Sequence, residues 1–100
     1  MLQYRDIVVM DNYKQLYKAF LLLKTSKDVE NFLKDLCTPK EVKDFTDRLQ
    51  IARLLDETDL SYRDIAEQTQ ASLTTVTRVA RFLKDENNGG YKTVLKRMKK

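Results

Sequence analysis

Between residues 72 and 84 the sequence SLTTVTRVARFLK carries three cations and no acid. At about 100° per residue, Thr74, Thr77, Arg78 and Arg81 fall on one side of a helix, with Val76, Val79, Ala80 and Leu83 on the other. The polar set suits nucleic acid. Arginines pair with phosphates and guanine edges, threonine hydroxyls reach base edges, and threonine methyls touch thymine. Ser72 stands where the N-cap of this helix belongs, with its hydroxyl close to phosphate. Few other chemistries are open. The chain has no His, which removes the commonest general base and metal ligand. Its single cysteine, Cys37, excludes an internal disulfide and a cysteine-built metal site, and favours a reducing compartment. An enzyme is not expected, nor is a metal or a cofactor.

The residues before this segment position it. From Ser61, SYRDIAEQTQ supplies a short helix with Ser61 as its cap and Asp64 in its first turn. Ile65, Ala66 and Thr69 face inward, and Ala66 is small enough for two helices to cross closely. Gln70 and Ala71 make the turn. The pattern predicts a helix-turn-helix over residues 61–84, with the N-terminal turn of its second helix entering the major groove. Gln70 stands where glycine is common, and a left-handed backbone there costs roughly 1 kcal/mol or more. The competing reading is a pair of bundle helices whose polar face is only solvated.

Upstream, apolar residues recur at helical spacing in three further segments. Tyr13, Leu16, Tyr17, Phe20 and Leu23 mark a first helix starting near Asp11. Val29, Phe32, Leu33, Leu36 and Cys37 mark a second, with Ser26 as the expected cap. Thr38, Pro39 and Glu41 form a capping-box pattern with proline at the first helical position. A third helix then carries Val42, Phe45, Leu49 and Ala52 to about Asp56, broadened by Ile51, Leu54 and Leu55. Asn87, Asn88, Gly89 and Gly90 end the threonine-rich helix, and Tyr91, Val94, Leu95 and Met98 stripe a basic tail. With 2 Gly and 1 Pro in 100 residues, the reading is one all-α domain over residues 1–100, of about six helices.

Residues 1–60 hold ten cations and eleven anions, and residues 61–100 hold nine and four. The basic excess therefore accompanies the helix-turn-helix and the tail. The longest apolar run, residues 19–23, falls far short of the roughly 20 residues that cross a bilayer. The opening residues lack the pattern of a signal peptide, with only a short apolar patch at residues 7–10. No membrane association is expected, and the expected location is cytoplasmic.

The strings LCTPKE, DRLQIARLL, SYRDIAEQ and SLTTVTRV place residues 32–83 in a resemblance to the Trp repressor superfamily. Within it, the small bacterial proteins of the YerC/YecD type are closer. The resemblance implies an intertwined all-helical homodimer, in which N-terminal helices of one chain wrap the other. It also implies a DNA-contacting role for Arg63, which could equally pair with Glu67. In the repressor, two arginines grip the tryptophan corepressor, and they correspond to Arg48 and Arg78. Val79 and Phe82, however, replace a glycine and a serine of that pocket. Both replacements are expected to fill it, so that tryptophan is not the effector. Arg48 is then expected to form a surface pair with Asp44.

Taken together, the sequence points to a homodimeric, sequence-specific transcriptional regulator, a repressor by resemblance. It would bind double-stranded DNA at a palindromic operator through Arg63, Ser72, Thr74, Thr77, Arg78 and Arg81. The alternative is a helical protein-interaction module that does not bind DNA.

Overall fold

A computed structural model of the chain describes residues 1, 3–5 and 11–99. The apolar patch at residues 7–10 and the final basic residue of the tail, Lys100, lie outside the described residues. Within them there are six helices and no strand: α1 (Asn12–Leu21), α2 (Ser26–Leu36), α3 (Pro39–Glu57), α4 (Tyr62–Thr69), α5 (Leu73–Lys84) and α6 (Gly90–Met98). The chain divides into two compact units, Met1–Thr38 and Pro39–Lys100.

In the first unit, each helix start is written by a polar side chain. Asp11 accepts from Lys14 N at 3.1 Å and opens α1. The cap of α2 is Thr25, one residue before the expected Ser26, and it accepts from Asp28 N at 3.0 Å. The Asp28 carboxylate accepts from Lys24 N–H, one residue before the cap, at 3.2 Å, so the bonds on both sides of the cap favour the hydroxyl three residues ahead of the acid. Lys34 and Lys27 both hydrogen-bond Glu30 and hold its carboxyl below the usual range. Phe20 and Phe32 meet edge to face, with ring centres 5.3 Å apart. Neither α1 nor α2 contains a buried residue. Tyr17 is 59% exposed and Leu21 83% exposed.

The second unit contains the core. Helix α3 begins at Pro39, as its preset φ favours, and packs against α4, α5 and α6. Ile51 and Ala52 of α3, Ile65 of α4, Val76, Val79 and Leu83 of α5 and Leu95 of α6 form one buried cluster. Leu49, Leu54, Leu55, Leu60 and Tyr91 pack around it. The third helix is thus central to the unit in that it contacts all three other helices, although only Ile51 and Ala52 of it are fully buried.

Ser61 caps α4 by accepting from Asp64 N at 3.1 Å. Gln70 follows with φ 57° and ψ 26°, the only left-handed residue other than glycine among those described. Its N–H bonds Glu67 O, while Ala71 N–H bonds Ala66 O. This paired pattern reverses the chain after a helix. The turn that the sequence predicted at Gln70 and Ala71 is present, in the strained form. At the far end, Gly89 has φ 70° and introduces α6, where a side chain would be strained.

Candidate nucleic-acid interface

Helix α5 has the two faces its spacing requires. Val76, Val79, Ala80 and Leu83 are buried, whereas Thr74, Thr77, Arg78 and Arg81 are exposed. Those four and Leu73 line one concavity of about 490 Å³ on the outer surface of α5. Ser72 is the N-cap of the helix, one residue before Leu73. The Ser72 Oγ accepts from Thr75 N at 3.1 Å and lies 2.9 Å from Thr75 Oγ1, so the capping role read from the sequence is met. Thr77 Oγ1 donates to Leu73 O at 2.9 Å. Arg63 is exposed on the first turn of α4 and does not line this concavity. It makes no ion pair with Glu67.

The cations of α5 rest on aromatic rings, which the sequence reading did not anticipate. The Arg78 and Arg81 guanidiniums lie over the Phe82 ring, and Lys84 Nζ is 5.5 Å from the centre of the Tyr62 ring. Arg81 Nε is also 3.7 Å from Glu86 Oε1. The Arg78–Phe82 pair was available from its four-residue helical spacing. The Lys84–Tyr62 pair depends on how α4 and α5 cross.

A second concavity, of about 460 Å³, lies between α3, α5 and α6. Arg48 and Arg78 both line it, together with Val79, Phe82, Tyr91 and Val94. The expectation that Val79 and Phe82 fill this space is not met. Val79 is only 1% exposed because it packs into the core and forms a floor. Phe82 forms a wall beneath its arginine. The expected Arg48–Asp44 pair is absent as well: Asp44 takes Lys40 at 3.0 Å, and the next acid, Asp47, takes Lys43 at 2.8 Å. Arg48 is left facing the cavity.

Among the described residues, no cluster of His, Cys, Asp or Glu could hold a metal ion. Among the same residues, no helix is long and apolar enough to cross a membrane.

This arrangement has known relatives. The family model for the Trp repressor protein matches residues 11–99. The chain belongs to the Trp repressor family. Within that family it is 38% identical over 85 residues to the uncharacterized protein YerC of Bacillus subtilis strain 168, covering 85% of this chain and 80% of that protein. It is 31% identical over 75 residues to the Trp operon repressor homolog of Xylella fastidiosa strain 9a5c, covering 75% of this chain and 82% of the homolog. The crystal structure of a TrpR-like protein from Eubacterium eligens superposes with a TM-score of 0.82 at 35% identity, covering 94% of this chain and 95% of that one. The all-α Trp-repressor-like fold expected from the sequence is thereby established, and the chain is a Trp-repressor-like regulator.

Proposed function

We propose that this Trp repressor family member is a homodimeric, sequence-specific DNA-binding transcriptional regulator. It acts as a repressor in the cytoplasm and does not use tryptophan as corepressor. The observation that carries the reading is the outer concavity of α5, where Thr74, Thr77, Arg78 and Arg81 converge above a buried apolar face. A helix-turn-helix presents its second helix to the major groove in this way. Ser72 meets phosphate at the head of the helix, the threonines meet base edges, and Arg78 and Arg81 divide between phosphate and guanine. Arg63, on the preceding helix, adds a phosphate contact outside the groove.

The dimer is supported by the N-terminal unit. Its helices bury no residue completely, and Tyr13, Tyr17, Leu21 and Leu22 are largely exposed. An isologous partner covers such faces by two-fold symmetry. The same symmetry makes the operator palindromic, with half-sites about 34 Å apart or a multiple of that. Against tryptophan stands Phe82: its ring offers no hydrogen-bond acceptor for an amine, where the repressor's serine does.

Retention of the protein on duplex DNA across a range of salt concentrations tests the proposal. Affinity that falls linearly on logarithmic axes as salt rises is the expected result. The exposed apolar residues of α1 also favour a second reading, a helical protein-interaction module. Such a module shows no salt-dependent retention.

A further inference from the structure

Arg78 and Arg81 share a single ring. The guanidinium carbon of Arg78 lies 4.9 Å from the centre of Phe82, and that of Arg81 lies 5.0 Å from it. Both distances fall within the roughly 6 Å reach of a cation–π contact. Phe82 is itself half-buried, set into the wall of the inner cavity beside Val79 and Tyr91. The ring is thus set into the cavity wall and has two guanidiniums within 5.0 Å of its centre.

The chemistry of the pair suits a surface that must hold an anion. A guanidinium packs through its flat face and keeps its N–H groups along the edge. Contact with Phe82 through that face therefore leaves the edge donors of Arg78 available, while Arg81 also has Glu86 Oε1 3.7 Å from its Nε and keeps its terminal nitrogens for an anion. A free arginine loses much rotamer freedom when it binds, and one already held loses less.

Building on the DNA-binding reading, we propose that Phe82 is a positioning residue: its ring orients Arg78 and Arg81 toward the DNA before contact is made. Phe82 itself touches no DNA.

The test compares wild type, Phe82→Leu and Phe82→Tyr for affinity to duplex DNA at several salt concentrations. Melting temperatures and the NMR shifts of the arginine side-chain protons are measured alongside. Phe82→Leu keeps an apolar wall but removes the ring, and it is expected to weaken binding about three- to tenfold at fixed salt. The salt slope should stay at its wild-type value, because the number of phosphate contacts is unchanged. Phe82→Tyr retains the ring and restores affinity to within about twofold. The arginine protons should lose their ring-induced displacement only in Phe82→Leu. In an Arg78→Ala background the cost of Phe82→Leu should shrink, whereas a purely structural role would leave it unaltered.

Where Phe82→Leu lowers the melting temperature, Phe82→Met replaces it as the ringless variant. Wild type that shows no salt-dependent binding defeats the DNA-binding reading, and the role of Phe82 with it. Wild type that binds, with ringless variants binding as tightly or more tightly, overturns the positioning role alone.

Discussion

Lys99 Nζ lies 2.5 Å from Asp56 Oδ2, joining the end of α6 to the end of α3 across 43 residues of sequence. The hydrogen bond to Asp56 raises the Lys99 pKa above its ordinary value. A raised folded-state value means that the pair contributes below the ordinary lysine pKa, about 10.4, and that the contribution fades as pH climbs through the folded value. The Asp56→Asn protein should therefore match wild type in stability at strongly alkaline pH and fall below it at neutral pH. NMR titration of the Lys99 side chain should show its pKa returning toward the ordinary value in that variant. An unchanged titration would mean that Asp56 is not the cause.

Gln70 spends backbone strain on the turn between α4 and α5. Replacing it with glycine removes the steric cost of φ 57°, and a stabilisation of about 0.5 to 1 kcal/mol is expected. For a chain of this size that raises the melting temperature by several degrees. A lower melting temperature would show that the Gln70 side chain supplies more than it costs.

Arg78→Ala should leave the fold nearly intact, since the residue is exposed and its contact with Phe82 contributes at most about 1 kcal/mol. Its effect should fall on DNA. A phosphate contact lowers affinity for all sequences alike and reduces the salt slope by about 1, whereas a guanine contact relaxes one operator position at a cost of roughly 1 to 3 kcal/mol. Undiminished DNA binding by the folded variant would place the wrong face of α5 in the groove.

L-tryptophan should change neither DNA affinity nor thermal stability, even though the cavity beside Arg48 and Arg78 is open. A ligand present at a hundred times its dissociation constant stabilises a fold by about 2.7 kcal/mol, which a melting scan resolves. A tryptophan-dependent rise in melting temperature would falsify this expectation.

The protein should sediment as a dimer at low micromolar concentration. Replacing the exposed Tyr17 with Glu should shift it toward monomer, because a buried unpaired carboxylate opposes association. A wild-type monomer at that concentration would exclude the wrapped arrangement.

Features that depend on near neighbours in sequence were legible before the fold was known. Ser61 and Ser72 cap the helices assigned to them, and the first helix starts at the expected Asp11, because a cap bonds a backbone N–H only three residues away. The buried face of α5 followed from periodicity alone. Where two partners competed locally, geometry decided. Thr25 and Ser26 are adjacent hydroxyls, and the position of Asp28 selected the former. Asp44 had a cation one turn away on either side, Lys40 and Arg48, and Lys40 took it. The inner cavity was misjudged because its volume depends on three helices packing together: Val79 turns into the core that they enclose. Phe82 reads from the sequence as a filler, whereas its neighbours Arg78 and Arg81 lie over it as over a platform.

The bond from Thr77 to Leu73 also restricts what the groove surface can read. With its proton committed to the backbone carbonyl, the Thr77 hydroxyl presents lone pairs outward and has no second proton to offer. It can accept from the exocyclic amine of adenine or cytosine, but it cannot donate to O6 or N7 of guanine without breaking its own helix bond. If α5 enters the groove as proposed, a base facing Thr77 is expected to offer an amine or, through the threonine methyl, to be thymine. One intrahelical hydrogen bond thus narrows what the proposed groove surface can accept from a base, excluding donation to guanine, before any DNA is present.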